Sequence, residues 1–331
     1  MGFNHLIGGE FSTNKFYPNK NILKKFKSGS WTLSGRYALE VIFKNNPSLC
    51  KKTIYLPIYN CPSTFDVIQN YFKKIIFYDL KNNFKPKIDK LKKNSVLILV
   101  SYFGHKINFK ARKDITIIED LTHLILDQVK FEKNRLYFTS LRKYGIFNFG
   151  GWTNIFNKNI NYTKTNFFES YRIEKFRYLS FEKKSLKKEH KLLELLSIEE
   201  KKLNKKKFCI PKESIKLLTD LSEKKIKIIR NSNYLYLQKN LKMNYLKIPY
   251  KKKETPMFFI LKFSSINERG KIRKMLIQQN IFCPIFWNLN NFKLIKYPYS
   301  KNLSETTLAI PIDHRFNITD MKYIVKILKK I

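Results

Sequence analysis

Apolar residues between positions 34 and 160 follow two alternating patterns. Segments such as SGRYALEVIFKN and STFDVIQNYFKK have apolar residues at the spacing of an amphipathic helix. Between the helix-like segments lie short apolar runs such as KTIYLPIY, KIIFYDL, NSVLILVSYFG, DITIIED and RLYFTSL, which are typical of strands covered on both faces. Strands separated by helices predict an α/β sandwich around a mainly parallel sheet.

The second half of the chain has a different pattern. Residues 167–240 read as mostly helical and lysine-rich, and they end in the long segment SEKKIKIIRNSNYLYLQKNL. After KIPYKKKETP, the runs MFFILKFS and IFCPIFW alternate with the helix-like segments NERGKIRKMLIQQ and ITDMKYIVKILKK. The sequence therefore predicts a large α/β domain over residues 1–238, including an interdomain helix, and a small C-terminal α+β domain over residues 239–331.

Composition narrows the possible partners. With 43% hydrophobic and 15% aromatic residues, the chain is typical of a globular protein. Its formal net charge of +41 would suit nucleic acid or an anionic membrane. However, the lysines are spread along the chain together with abundant Asn, Ile, Phe and Tyr, which indicates a biased codon supply. We therefore expect no dedicated nucleic-acid site, and only a general attraction for anionic substrates.

The cysteines and the longest apolar run bear on location. Cys50, Cys61, Cys209 and Cys283 are far apart and form no CxxC pair, so neither a metal site nor a disulfide framework is expected. The longest apolar run, VLILV, is too short to span a bilayer, and the chain starts without a signal-like apolar region. The sequence thus predicts a soluble cytoplasmic protein.

Polar groups follow several predicted strands, at the edge of the sheet where open α/β proteins bind ligands. Ser34 and Gly35 precede a helix whose N-terminus would favour a phosphate, although such a pair is also an ordinary helix cap. Glu119 and Asp120 end an apolar strand, and His123 follows them. A carboxylate there needs a cation or a strong donor, such as a protonated pyridine nitrogen, unless it caps the next helix.

A lysine follows the next strand of this series. Thr139 and Ser140 end the run RLYFTS, and Lys143 comes shortly after them. A lysine that forms a Schiff base must be reachable and partly desolvated, and neighbouring hydroxyls could complete a phosphate site. In a lysine-rich chain, Lys143 is distinguished by its position in this order. His105, after another strand, could contact a ligand or could be a hydrogen-bonded loop residue.

A phosphate-binding turn, then an aspartate, then a lysine is the order found in fold type I enzymes of pyridoxal 5'-phosphate (PLP). Along nearly its whole length, the sequence resembles the DegT/StrS family of sugar aminotransferases. The segments that carry the resemblance are SGRYAL, YLPIYNCPSTFDVI, FYDLKNNFKPKIDKL, IIEDLTH, FTSLRK with its following GG, IFCPIFW and LAIPIDHRFNITDMKYI. The resemblance implies a PLP-dependent aminotransferase of fold type I, with a large α/β/α domain and a small C-terminal α+β domain.

The resemblance also implies roles for individual residues. Lys143 would hold the cofactor as a Schiff base and then carry protons at the substrate carbon. Asp120 would hold the pyridinium proton, and His123 would approach the ring or its phenolic oxygen. The residues expected to bind the phosphate are Ser34, Gly35, Arg36 and Tyr37, with help from Thr139 or Ser140.

Partners and substrates follow from the same resemblance. It implies a homodimer in which the partner subunit completes each site. It also implies glutamate as amino donor and a nucleotide-linked keto sugar as acceptor, in the synthesis of a surface polysaccharide. The presence of Lys143 disfavours the family's dehydratase branch, in which histidine replaces that lysine.

The chain departs from the family pattern at two positions. Cys61 stands where many members place an aromatic ring against the cofactor, and Tyr59 or His123 could take that part. Phe149 precedes the glycine pair where an acidic residue is usual. A PLP reaction other than transamination, or a loss of activity, is therefore the alternative. A basic protein that binds nucleic acid or membranes is a third hypothesis.

Overall fold

The computed structural model describes residues 6–9, 26, 28–127, 130–144, 150–157, 191, 194–195, 198, 223–290 and 292–330. Phe149 and most of the predicted helical stretch 167–222 lie outside these residues. The strands are β1 Ile7–Gly8, β2 Ser30–Thr32, β3 Ile54–Pro57, β4 Ile75–Leu80, β5 Pro86–Lys87, β6 Val96–Val100, β7 Thr116–Asp120, β8 Arg135–Ser140, β9 Gly151–Thr153, β10 Phe258–Lys262, β11 Ile281–Phe282 and β12 Thr307–Pro311. The helices are α1 Gly35–Asn45, α2 Pro62–Gln69, α3 Glu223–Asn240, α4 Ile266–Gln278, α5 Pro298–Thr306 and α6 Ile318–Leu328.

Within the described residues, eight strands form one sheet in the order β2-β9-β8-β7-β6-β3-β4-β5. Strands β8, β7, β6, β3 and β4 are parallel to one another, while β2, β9 and β5 add antiparallel edges. The apolar run of β6 is buried at every position, as expected for a strand covered on both faces. Val100 pairs with Asp120, and Asp120 pairs with Phe138, so the carboxyl ends of β6, β7 and β8 are level.

Helix α1 covers the sheet next to these carboxyl ends. Its amphipathic sequence buries one apolar face that includes Ala38, Leu39, Ile42 and Phe43. The helix predicted over STFDVIQNYFKK is shorter than expected: α2 ends at Gln69. After it the chain turns and packs Phe72 edge-on against Phe43, with ring centroids 5.0 Å apart. Burial of this aromatic pair outweighs continuation of the helix.

The C-terminal residues form a second, smaller layer. Strands β10 and β12 pair antiparallel, and β1 pairs parallel with β11, which ties the start of the chain to its C-terminal part. Helix α6 begins with a reciprocal capping box between Asn317 and Asp320. Tyr234 and Leu237 of α3 are buried in the same apolar cluster as β10, β12 and α6. The long helix predicted to cross between the two parts therefore packs on the C-terminal layer.

Asp79, at the end of β4, links the large sheet to this C-terminal layer. Its buried carboxylate accepts hydrogen bonds from the backbone N–H groups of Tyr299 at 3.1 Å and Ser300 at 2.9 Å, and from the Ser300 hydroxyl at 2.5 Å. The N-cap residue of α5, Tyr297, makes no side-chain cap hydrogen bond of its own. Asp79 thus caps α5 from another part of the chain.

Replacement of Asp79 is expected to destabilise the fold. Asp79→Ala would leave the half-buried N–H of Tyr299 and the buried N–H of Ser300 without an acceptor, at a cost of roughly 2–4 kcal/mol in the free energy of unfolding. Urea denaturation measures the change, and Asp89→Ala, at an exposed position, is the matched control. If both variants unfold at the same urea concentration, Asp79 does not stabilise the junction.

Among the described residues, no helix is both long enough and apolar enough to cross a membrane.

Candidate active site

A pocket opens at the carboxyl ends of β6, β7 and β8, between the N-termini of α1 and α2. The chain segment that follows β11 closes one side of it. The lining residues are Ser34, Gly35, Arg36, Leu39, Cys61, Ser63, Thr64, Val100, Asp120, Thr122, His123, Phe138, Ser140, Arg142, Lys143, Phe286 and Trp287. The pocket therefore contains eight of the residues predicted from the sequence, which are Ser34, Gly35, Arg36, Cys61, Asp120, His123, Ser140 and Lys143.

The Ser34–Gly35 turn begins α1 at the pocket. Ser34 has extended backbone angles, and its Oγ accepts a hydrogen bond from the N–H of Tyr37 at 3.2 Å. A Cβ atom on Gly35 would lie 3.0 Å from the Ser140 Cβ, and one on Gly151 would lie 2.3 Å from the Ser34 carbonyl carbon. Glycine at 151 is required for the α1 N-terminus to pack this closely on β9, while a side chain at 35 would crowd Ser140 on β8.

Asp120 ends β7 and faces the pocket while almost fully buried. Burial raises the pKa of its carboxyl to about 6, although hydrogen bonds from Thr122 oppose the rise. One of these bonds runs from the Thr122 N–H to Oδ1 at 2.8 Å. A buried carboxylate with a raised pKa would be stabilised in its ionised form by a positively charged donor in the pocket.

His123 is buried beside Asp120 and is neutral. Its Nδ1 accepts a hydrogen bond from the Phe103 N–H at 3.2 Å, so the proton of the neutral ring is assigned to Nε2. Burial, reinforced by the charges of Lys143 and Arg230, lowers the pKa of His123 to about 3. The ring stacks on Trp287, with centroids 5.9 Å apart and planes 13° apart. His123 is therefore a fixed hydrogen-bond donor, not a cation, at neutral pH.

Lys143 ends a short 3-10 turn, Leu141–Lys143, that follows β8. Its side chain is exposed and lines the pocket. The turn is fixed by a hydrogen bond from the Leu141 N–H to the Gly150 carbonyl at 2.9 Å. Because successive side chains of a strand point to opposite faces, only one of the two hydroxyls before Lys143 can face the pocket. Ser140 lines the pocket, whereas Thr139 is fully buried outside the lining.

Two further predicted cofactor contacts lie behind the pocket wall. Tyr37 is buried on α1, and only its backbone N–H takes part in the Ser34 turn. Tyr59 is fully buried after β3, and its hydroxyl donates a hydrogen bond to the Phe286 carbonyl. Its ring packs edge-on against Trp287, with centroids 5.1 Å apart. Tyr59 therefore supports pocket residues instead of lining the pocket itself.

His105 and Glu119 have structural partners. His105 Nδ1 lies 2.8 Å from Oε2 of the buried Glu254, so the structure favours a hydrogen-bonded loop histidine. The Glu119 carboxylate accepts a hydrogen bond from the Ser101 hydroxyl at 3.0 Å and lies 3.5 Å from Arg135. Neither side chain lines the pocket described above.

Sequence reasoning missed the aromatic wall made by Phe286 and Trp287, and the hydroxyls of Ser63 and Thr64. The run IFCPIFW was recognised as a strand-like segment, but the described strand covers only Ile281–Phe282. The sequence feature that could have indicated this wall is the pair of bulky aromatic residues just beyond a short strand. The pattern alone did not indicate that this pair reaches the other part of the molecule.

Comparisons with known proteins support the fold. No protein-family model matches the sequence, and no curated protein matches it. Among solved structures, Spr1654 of Streptococcus pneumoniae in its PLP-form is 13% identical and has a TM-score of 0.65, over 96% of this chain and 91% of that chain. A DegT DnrJ EryC1 StrS aminotransferase from Brucella abortus is 13% identical, with a TM-score of 0.61 over 96% and 91% of the two chains.

A third similar structure is Helicobacter pylori PseC, an aminotransferase involved in the biosynthesis of pseudoaminic acid. It is 12% identical and has a TM-score of 0.63, over 98% of this chain and 92% of that chain. The protein thus has the fold of the DegT/StrS sugar aminotransferases. The predicted fold type I architecture, with a large, mainly parallel sheet, is confirmed.

Proposed function

We propose that the protein is a PLP-dependent aminotransferase. The observation that carries this proposal is the convergence of a helix N-terminus, a buried carboxylate, a neutral histidine and a reachable lysine in one pocket. The fold places this pocket at the carboxyl ends of parallel strands. Spr1654, which has the same fold, has been solved in PLP and PMP forms.

The pocket residues fit the chemical groups of PLP. The α1 N-terminus at Ser34–Gly35, with Arg36 and Ser140 beside it, suits a phosphate, because backbone N–H groups and the helix dipole favour an anion there. Asp120 is the buried carboxylate whose ionised form a protonated pyridine nitrogen would stabilise. The Nε2–H of His123 would be the donor available to the ring or its phenolic oxygen.

Bound PLP supplies an electron sink for the bond that breaks at the substrate carbon. Lys143 is the residue that would hold the cofactor, and its amine would carry a proton to and from the substrate carbon. Asp120 would hold the proton on the ring nitrogen. Because His123 is neutral and fixed, it donates a hydrogen bond without adding a second positive charge near Asp120.

Substrates, partners and domains belong to the same proposal. We propose a nucleotide-linked keto sugar as amino acceptor and glutamate as donor, in surface polysaccharide synthesis. The involvement of PseC in the biosynthesis of pseudoaminic acid supports an acceptor of this class. We also propose a homodimer, in which each subunit has a large domain over residues 1–238 and a small domain over residues 239–331. A cytoplasmic location is proposed as well. It is supported by Cys50, Cys61 and Cys283, which are free thiols, as suits a reducing compartment.

The second candidate function is another PLP reaction on the same site. It is favoured by Cys61, which puts a small thiol at the pocket wall where the family resemblance leads us to expect an aromatic ring. Glutamate separates the two candidates. The aminotransferase should release stoichiometric 2-oxoglutarate from glutamate and leave the cofactor in its amino form. Bound PLP that remains unchanged by glutamate would favour the second candidate.

The affinity for PLP is expected to fall in acid. The raised pKa of about 6 means that Asp120 of the apoprotein is ionised above pH 6 and neutral below it. Only the ionised form attracts the pyridinium, so the Kd for PLP should rise by up to about tenfold per pH unit below pH 6. Equilibrium dialysis between pH 5 and 8 measures this dependence, and Asp120→Asn should flatten it.

A further inference from the structure

Two aromatic side chains from the C-terminal layer reach the candidate active site. Phe286 and Trp287 follow β11, and both line the pocket. Phe286 is buried, whereas Trp287 keeps an accessible part of its surface. Of the two, Trp287 therefore has indole surface left to contact a bound molecule.

The backbone of this pair is held from two sides. The Tyr59 hydroxyl donates a hydrogen bond to the Phe286 carbonyl, and the Ser304 hydroxyl donates one to the Trp287 carbonyl at 2.6 Å. Tyr59 follows a strand of the large sheet, and Ser304 belongs to α5. The position of Trp287 is thus fixed by both layers of the molecule, which preorganises its ring for contact with a ligand.

The Trp287 ring is also oriented by its aromatic neighbours. It lies nearly parallel to the His123 ring, at 13°, and edge-on to the Tyr59 ring, at 64°. His123 is one of the residues proposed to contact PLP. A flat indole beside it provides an aromatic surface that an electron-poor pyridinium ring favours.

The residue at the N-cap of α2, by contrast, gives the pocket no aromatic surface. Cys61 also lines the pocket, and its Sγ lies 3.1 Å from the Ser63 hydroxyl. A thiol is small and offers no flat surface to an aromatic ring. The aromatic surface in this pocket comes instead from Phe138, His123 and the two residues of the C-terminal layer.

We propose that Trp287 provides the aromatic surface against which the ring of bound PLP rests. It would replace the aromatic side chain that Cys61 does not provide. This inference rests on the proposed function, because it needs a PLP site. It makes Trp287 a cofactor-contacting residue, and it makes Tyr59 a positioning residue that acts through the Phe286 carbonyl. The PLP site is then complete only when the C-terminal layer is docked on the large sheet.

Direct measurement of PLP binding tests the inference. Trp287→Ala should raise the Kd for PLP by about tenfold, as expected for loss of an aromatic contact, and Trp287→Phe by less than about threefold. Tyr323→Ala removes a half-buried aromatic ring of the same layer outside the pocket lining, and it should leave the Kd unchanged. Thermal unfolding of each apoprotein shows whether the variants are folded.

A ring placed at residue 61 separates contact from a general structural effect. Cys61→Phe alone should weaken PLP binding, because the new ring would crowd a pocket that Trp287 already lines. Combined with Trp287→Ala, it should restore the Kd to within about threefold of the wild type. A merely structural tryptophan would not be rescued in this way.

Two results would overturn the inference while the proposed function stands. One is a Trp287→Ala variant that binds PLP as tightly as the wild type, and the other is a double variant that binds no better than Trp287→Ala. A wild-type protein that binds no PLP would instead refute the proposed function, and the inference with it.

Discussion

Lys143→Ala is expected to lower transamination by at least about a thousandfold, because in the proposed mechanism the lysine both attaches the cofactor and moves the proton at the reacting carbon. No hydroxyl or imidazole in the pocket can replace an amine in the first of these roles. The measurement is release of 2-oxoglutarate from glutamate under single-turnover conditions, in protein loaded with excess PLP.

Lys133→Ala is the matched control, since Lys133 is an exposed lysine on the loop before the same strand, β8. It should retain wild-type turnover, which would show that the loss follows from position and not from one charge fewer among 66 Lys and Arg residues. Equal activity in Lys143→Ala and Lys133→Ala would rule out Lys143 as the catalytic amine.

Asp120→Asn should lower the same activity by about a hundred- to a thousandfold, since a neutral amide cannot keep the ring nitrogen protonated. The apoprotein should at the same time become more stable. Burial raises the pKa of Asp120 to about 6 in the folded protein. Once the pH exceeds the lower pKa that Asp120 has in the unfolded chain, the ionised carboxylate therefore opposes folding. At pH 8, removal of that charge should add roughly 1–3 kcal/mol to the free energy of unfolding.

Asp114→Asn is the control for this substitution, because this half-buried carboxylate pairs with Arg112 at the surface. It should change neither turnover nor stability by much. Lower stability in Asp120→Asn, together with full activity, would mean that Asp120 is a structural carboxylate. Loss of activity with a gain in stability is the pattern expected of a functional group held in an unfavourable environment.

Much of the large sheet could be predicted from the chain itself. The run VLILV predicts a buried strand because every position is apolar, and DITIIED predicts another from its three isoleucines; the structure has these strands as β6 and β7. The helix after Ser34 was predictable from its apolar spacing and its cap. The antiparallel edge strands β2 and β5 were not, since they are only three and two residues long.

The candidate site was predictable in part because the parallel strands could be recognised from the sequence. Residues that follow parallel strands must meet at one edge of the sheet, so Asp120, His123 and Lys143 could be placed together from their order. Only the structure, through the register of β8, shows that Ser140 and not Thr139 faces the pocket. Contacts between distant segments carry no local signal. The Asp79 cap on α5 and the approach of Trp287 to His123 are of this kind.

The central claim is that this pocket binds PLP covalently at Lys143. The most direct test is to incubate the wild-type protein with PLP near one equivalent, reduce it with borohydride, and map the modified lysines by peptide mass spectrometry. The claim predicts one dominant phosphopyridoxyl group, on Lys143. Label scattered over the many exposed lysines, with Lys143 no more modified than Lys133, would contradict it.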